Sequence, residues 1–151
     1  MNLDYLRELY ENGYFSIEEE FDDWHDAIRA AIKPLVRSGA VEETYADKIF
    51  DSLKENGFYI CICPEVCMPH AMNFGDVHRS EISFMKVNKP VVFDNEDFHQ
   101  SRLFFTLCAN SADDHLKNIQ KLMELLDQEG AIDAMAACET EDDFKKLLYK
   151  E

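Results

Sequence analysis

Short apolar runs in the middle of the chain constrain its fold more than any other feature of the sequence. They are rich in aromatic and β-branched residues and short, which favours strands at residues 58–63, 82–87, 91–93 and 103–109. A further strand is predicted at residues 14–17. Helices before and after a small set of strands predict an α/β fold. We expect a small mixed β-sheet flanked by helices, in a three-layer α/β/α sandwich, with residues 1–151 forming a single domain.

Capping residues and helix breakers set the limits of the predicted helices. Asp22 or Asp23 caps a helix with an apolar side from Trp24 to Val36, and Pro34 should kink or break this helix. The motif Ser111-Ala112-Asp113-Asp114 resembles a capping box with Asp in place of the usual Glu. It begins a helix that ends at Gly130. Other helices are predicted at residues 3–10, 42–56, 131–137 and 141–150, with Gly57 ending the second and Thr140 capping the last.

The strong negative charge of the chain excludes one class of function and disfavours another. Fifteen Lys and Arg against 31 Asp and Glu give a net charge of −16. Nonspecific nucleic-acid binding needs clustered cations and is excluded, and docking on anionic lipid is disfavoured. The charge suits a basic protein partner, although solubility explains it equally well. Without a signal peptide or a membrane-length apolar stretch, we expect a cytoplasmic protein with no direct membrane insertion.

Three of the five cysteines, Cys61, Cys63 and Cys67, lie close together in the sequence. On a strand Cys61 and Cys63 would share one face, so we interpret them as reduced, buried thiols. A zinc site that also uses His70 and His78 is the main competing chemistry, but C-x-C-x-x-x-C is not a usual zinc spacing. A redox role for Cys67 is disfavoured because no basic residue lies within three positions to lower its pKa. We therefore expect neither a metal nor a disulfide.

Two histidines stand out by their position next to the predicted strands. His70 follows the first apolar run, and Pro69 stiffens the loop that carries it. His115 lies in the first turn of the helix after the last run, where free N–H groups and the helix dipole attract phosphate and disfavour imidazolium. A neutral imidazole is a usable nucleophile. Taken alone, each residue is more often an ordinary loop or surface histidine.

Taken together, these motifs resemble the enzyme IIA proteins of the bacterial sugar phosphotransferase system, in the mannitol/fructose branch (type 2) that includes the ascorbate-type proteins. Pro64-x-x-x-Met68-Pro69-His70-Ala71 is similar to their phosphorylation loop. Residues 111–126 are similar to the segment with their second active-site histidine, at His115. The resemblance covers residues 15–150 and includes the helices before the loop, through Leu35-Val36-x-x-Gly39-x-Val41-x-x-x-Tyr45-x-x-x-Ile49.

The resemblance implies a phosphoryl relay between proteins. His70 would accept the phosphoryl group from an HPr-like phosphocarrier protein and pass it to a cysteine of a IIB protein or domain. His115 would stabilise the phosphoryl group, and Lys54 and Arg79 are candidates to bind it. No cofactor is expected, because the sequence has no nucleotide-binding loop, which fits a phosphoprotein donor.

Three positions depart from the pattern of the family. Glu65 stands where Gly is usual, and Cys67 stands where Ala is usual. Lys54 aligns with a catalytic Arg of some mannitol-type members, and lysine cannot form the bidentate fork of arginine on phosphate. Ascorbate-type members also lack that Arg, so Lys54 favours their branch. These departures leave an alternative open, a regulatory or binding module of the same fold that signals by its phosphorylation state.

Overall fold

Five strands form one mixed sheet in the computed structural model, which describes residues 1–72, 74–96 and 98–150. The order across the sheet is β1-β4-β5-β3-β2. β1 pairs with β4 and β3 with β5 in parallel, whereas β4 with β5 and β2 with β3 are antiparallel. The strands are β1 (Phe15–Glu18), β2 (Cys61–Cys63), β3 (Glu65–Cys67), β4 (Glu81–Val92) and β5 (Gln100–Cys108).

Helices cover both faces of the sheet, which confirms the predicted α/β/α sandwich. Successive residues of β4 point to opposite faces. Met85 packs in a cluster with α2–α4, and Phe84 packs in a second cluster with α1 and α5–α7. The helices are α1 (Asp4–Glu11), α2 (Trp24–Ala31), α3 (Lys33–Arg37), α4 (Tyr45–Asn56), α5 (Ala112–Leu126), α6 (Ala131–Ala137) and α7 (Glu141–Leu148), with a 3₁₀ turn at Phe74–Asp76.

Most of the predicted helix limits agree with the structure. The Asp23 carboxylate accepts a hydrogen bond from the backbone N–H of His25 at 2.7 Å, and Pro34 lies in the first turn of α3, after α2 has ended. Thr140 forms a complete capping box with Asp143. At α5 only half of the predicted box is present. Ser111 accepts from the N–H of Asp114 at 3.1 Å, but the Asp114 carboxylate accepts from Ser80 Oγ instead of from the backbone of Ser111.

The predicted strand limits agree less well with the structure than the predicted helix limits do. The runs at 82–87 and 91–93 belong to one strand, β4, which continues through Pro90 because the pairing with β5 shifts register between Lys86 and Val91. The run at 58–63 enters the sheet only at Cys61. β3 was predicted as part of a loop. Three residues after a proline carry too little periodicity to identify a strand, and only pairing with β5 makes this segment one.

The prediction that Cys61 and Cys63 share a face is wrong. The β2–β3 register shifts between them, so Cys61 packs in the cluster with α2–α4 and Cys63 packs against the opposite cluster. All five cysteines are free thiols, and burial raises the pKa of Cys61 to about 12 and that of Cys67 well above its ordinary value. Protonated thiols are weak nucleophiles and weak metal ligands.

The described residues contain neither a metal-binding cluster nor a membrane-spanning helix. No group of three or more His, Cys, Asp or Glu side chains among them is arranged to hold a metal ion. No helix within the same ranges combines the length and apolar character needed to cross a bilayer.

Glu65 has a backbone conformation that explains why glycine is usual at this position in the family. Its φ is +77°, in the left-handed region, and the β3–β5 register shifts directly after it. Its carboxylate accepts a hydrogen bond from Arg102 Nε on β5 at 2.6 Å, with about a third of each side chain exposed. The charge of Glu65 is therefore paired within the sheet.

Replacement of Glu65 by glycine should stabilise the protein. A residue with a side chain in this conformation costs roughly 1–2 kcal/mol, whereas a partly exposed ion pair contributes about 0–1 kcal/mol. We expect Glu65→Gly to raise the free energy of unfolding by about 1 kcal/mol, measured by urea denaturation. Glu65→Gln is the matched control, because it loses the ion pair but keeps the strain, and it should be no more stable than wild type. A Glu65→Gly protein less stable than Glu65→Gln would contradict the account.

Candidate active site

The two histidines singled out in the sequence meet at one edge of the sheet. β3 and β5 are parallel neighbours, so their carboxyl ends lie at the same edge. His70 follows β3 by three residues, and α5 with His115 follows β5. The centroids of the two imidazole rings are 5.0 Å apart, with their planes tilted by 42°. The fold therefore brings together two residues that are 45 positions apart in the chain.

The loop that carries His70 is fixed at three successive residues. The backbone N–H of Leu107 donates to the carbonyl of Pro69 at 3.0 Å. Tyr59 Oη donates to the carbonyl of His70 at 2.5 Å. The N–H of Ala71 donates to Tyr45 Oη at 3.2 Å, and the same hydroxyl donates to the carbonyl of Leu107 at 2.8 Å. These bonds satisfy the backbone of the loop and connect it to β5 and α4.

A hydrogen bond to the backbone fixes the tautomer of His70. Nδ1 lies 2.6 Å from the carbonyl oxygen of Met68. A carbonyl oxygen only accepts, so Nδ1 carries the proton and Nε2 keeps its lone pair. Burial lowers the pKa of His70, the bond to Met68 opposes this in part, and the neighbouring His115 lowers it further. His70 is therefore neutral near pH 7, with Nε2 available as a nucleophile.

His115 is a second neutral imidazole, held at the start of a well-anchored helix. Burial lowers its pKa below the ordinary value. Asn118, one turn later and buried, donates to the carbonyl of Cys108 at 3.2 Å and ties α5 to the end of β5. Both carboxylates of the first turn have partners of their own: Asp113 is 3.2 Å from Lys117 Nζ, and Asp114 accepts from Ser80 at 2.7 Å.

The structure does not bring Lys54 or Arg79 into contact with the histidine pair. Lys54 lies exposed in the last turn of α4 and lines a groove with Trp24, Phe50 and Phe58. The Arg79 guanidinium donates to Glu81 at 2.9 Å and to the carbonyl of Ser38 at 2.8 Å. Within the described ranges, no hydrogen bond or ion pair joins either side chain to His70 or His115.

The remaining histidines pair with neighbouring carboxylates. His25 Nδ1 is 2.6 Å from Asp23, and the His25 ring stacks on Trp24. His78 Nε2 is 3.2 Å from Glu42, and His99 Nδ1 is 2.8 Å from Asp94. In the described part of the chain, the aromatic rings packed against His70 are those of Tyr59 and His115. The other three histidines do not pack there.

Several residues of the site were missed at the level of sequence. Tyr59 lies between Phe58 and Ile60 and is indistinguishable there from the rest of an apolar run, and nothing marks Ser52 on α4. Tyr45 is part of the motif before the loop, but the sequence does not show that its buried hydroxyl also holds the loop. Met72 and Leu116, next to the two histidines in sequence, are 59% and 55% exposed and form an apolar rim. Only their solvent exposure in the folded structure distinguishes these two side chains from core residues.

Comparison with known proteins shows the family to which the chain belongs. The family profile described as "Phosphoenolpyruvate-dependent sugar phosphotransferase system, EIIA 2" matches residues 8–151. The chain belongs to this family. The predicted resemblance to type 2 enzyme IIA proteins is therefore confirmed.

Individual EIIA relatives share the whole domain at modest identity. The ascorbate-specific PTS system EIIA component of Escherichia coli (strain K12) is 28% identical over 141 residues, covering 93% of this chain and 92% of that protein. The mannitol-specific cryptic phosphotransferase enzyme IIA of Escherichia coli superposes with a TM-score of 0.80 at 27% identity, covering 95% and 99%. The Escherichia coli mannitol enzyme IIA, solved in complex with phosphorylated enzyme IIB, shares the fold at a TM-score of 0.75 and 23% identity, covering 92% and 96%.

Titration of the imidazoles tests the electrostatics of the site. We expect His70 and His115 to titrate below pH 6.5 in the folded protein, and near 6.5 when it is unfolded in urea. Between the two pKa values the unfolded chain binds more protons, so the free energy of unfolding should fall as the pH drops below about 6.5. Imidazole NMR against pH measures the shifts, and His115→Ala assigns the resonances. Folded-state pKa values at or above those in urea would contradict the account.

Proposed function

We propose that this protein is a phosphocarrier of a bacterial sugar phosphotransferase system. His70 Nε2 accepts the phosphoryl group from an HPr-like protein and passes it to a cysteine of a IIB protein or domain. The observation that carries the proposal is the bond between His70 Nδ1 and the carbonyl of Met68, which leaves Nε2 unprotonated beside His115. Membership in the EIIA 2 family supports the same reading. Such a relay works in the cytoplasm, where we place the protein.

The hydrogen bond of Nδ1 fits both steps of the transfer. In the first step the lone pair of His70 Nε2 attacks phosphorus, the bond between phosphorus and the carrier's histidine breaks, and its electron pair returns to the carrier's ring. His70 keeps its Nδ1 proton, so the phosphorylated ring is positively charged and the carbonyl of Met68 stabilises it. In the second step a IIB thiolate attacks phosphorus, and the electron pair returns to Nε2. The fixed loop supplies the alignment that such transfers require.

His115 and the N-terminus of α5 are proposed to hold the phosphoryl oxygens. The ring lies 5.0 Å from that of His70, and the backbone N–H groups of the first turn of α5 lie beside it. A neutral imidazole can donate a hydrogen bond to a phosphoryl oxygen without the cost of moving a proton. The charge of Asp113 is partly offset by Lys117, and the carboxylate of Asp114 is held by a hydrogen bond from Ser80.

For Lys54 and Arg79 we propose a longer-range role. Neither contacts the histidines, so their positive charges would bind the phosphoryl group only by offsetting the acidic surface during approach. The net charge of −16 then favours encounter with the basic face of an HPr-like carrier. Met72 and Leu116 provide exposed apolar surface beside the site for contact with that partner.

Phosphorylation should depend on His70. Incubation with HPr and its phosphoenolpyruvate-driven kinase should add the mass of one phosphoryl group, labile in acid and stable in base, because the product is a phosphoramidate. His70→Ala should gain no mass under the same conditions. Intact-mass spectrometry measures both proteins. His78→Ala is the control, because His78 is exposed and pairs with Glu42, and this variant should still be phosphorylated. A phosphoryl adduct retained by His70→Ala would refute the assignment.

His115 should support transfer without being the acceptor. We expect His115→Ala to accept phosphoryl from HPr but to pass it to IIB about 10² to 10³ times more slowly, corresponding to roughly 3–4 kcal/mol of lost stabilisation. Rapid-quench measurement of the loss of phosphohistidine after addition of IIB gives the rate. His99→Ala is the matched control, since His99 pairs with Asp94 rather than with His70. Onward transfer from His115→Ala at the wild-type rate would show that the residue is a bystander.

A further inference from the structure

We propose that Tyr59, supported by Ser52, is a positioning residue that fixes the peptide of His70 and so aims Nε2 at the incoming phosphoryl group. The inference rests on the phosphocarrier function proposed above. It assigns a role to a hydroxyl that never needs to touch the phosphoryl group.

The hydrogen bonds of Tyr59 have a defined direction. Its Oη lies 2.5 Å from the carbonyl oxygen of His70 and 2.9 Å from Ser52 Oγ. The carbonyl only accepts, so Tyr59 donates to it, and Ser52 donates to Tyr59. The two hydrogen bonds form a series from Ser52 on α4, through the hydroxyl of Tyr59, to the carbonyl of His70. Successive hydrogen bonds of this kind strengthen one another.

Tyr59 also contacts the ring of His70. The two ring centroids are 5.1 Å apart in an edge-to-face arrangement, with planes at 80°. His115 lies 5.0 Å from His70. Tyr59 therefore contacts His70 at two points, the carbonyl and the imidazole, and restrains both the backbone and the ring.

The remaining restraints on the loop act on other backbone groups, one of them in the same peptide as the carbonyl of His70. Leu107 holds the carbonyl of Pro69, and Tyr45 holds the N–H of Ala71. Without the hydroxyl of Tyr59, the carbonyl of His70 has no described partner, and the His70–Ala71 peptide is held only through its N–H, by Tyr45. Loss of this restraint lets the backbone at His70 shift, which moves the imidazole relative to Met68 and weakens the bond that fixes the tautomer.

The geometry does not favour Tyr59 as a proton donor to phosphate. Its single proton is committed to the carbonyl of His70. Burial also raises the pKa of Tyr59, so its proton is held more tightly than in water. Positioning is the role that these contacts allow.

The test compares Tyr59→Phe, which keeps the ring and loses only the hydroxyl, with wild type. We expect the rate of His70 phosphorylation at saturating phospho-HPr to fall about threefold to tenfold, the fold-change that one ordinary hydrogen bond supports. The HPr concentration for half-maximal rate should not change, because the docking surface is intact. In ¹⁵N NMR, His70 should move from the pure Nδ1–H tautomer toward a mixture.

A double-mutant cycle tests whether Ser52 acts through the hydroxyl of Tyr59 or independently of it. Ser52→Ala alone should lower the rate by less than Tyr59→Phe. In the Tyr59→Phe background it should lower the rate no further, since Ser52 acts only through the hydroxyl that is already missing. Tyr149→Phe is the matched control, because it removes an exposed hydroxyl bonded to Glu11 at 2.8 Å, and it should change neither the rate nor the imidazole spectrum.

Each alternative result counts against a separate claim. A wild-type rate together with an unchanged His70 tautomer in Tyr59→Phe overturns the positioning role, as does a full additional loss from Ser52→Ala in that background. If wild type is not phosphorylated at His70, the proposed function fails. The imidazole spectra of wild type and Tyr59→Phe still decide whether Tyr59 positions the ring.

Discussion

The parallel pairing of β3 with β5 is the interaction on which the site depends. It joins Glu65 to Ser101, Val66 to Leu103 and Cys67 to Phe104. Because the two strands point the same way, the chain leaves both at one edge of the sheet, first into the loop of His70 and then into α5. A register slip by one residue would turn the side chains of β3 to the opposite face and move the loop relative to His115. The register of this short strand therefore sets the position of the His70 loop relative to His115.

The chemistry of the pair comes from burial and directed hydrogen bonds. Both imidazoles are neutral because their surroundings disfavour the charged form, and the carbonyl of Met68 decides which nitrogen of His70 is free. Tyr45 and Tyr59 connect the loop to its surroundings through their hydroxyls. The carboxylates in the first turn of α5, Asp113 and Asp114, are engaged by Lys117 and Ser80.

The departures from the family pattern have structural explanations. Glu65 occupies a left-handed position where glycine is relaxed, and its carboxylate is bound by Arg102 within the sheet. Cys67, in place of the usual alanine, is fully buried in the cluster with α2–α4, where a small apolar side chain also fits. Lys54 lies beside an aromatic groove on α4 and has no contact with the histidines in the described residues.

The sequence by itself determined the fold class, the helices with strong caps and the two histidines, because periodicity, Asp23, Pro34 and Thr140 act locally. Tertiary structure alone decided that 65–67 is a strand, that a register shift separates Cys61 from Cys63, and that β4 continues through Pro90. It also decided the tautomer of His70 and the hydrogen bond from Tyr59 to the carbonyl of His70. These features depend on hydrogen bonds between particular groups, at separations from two residues (Met68 and His70) to the distance between β3 and β5, and such bonds leave no periodic signal in the sequence.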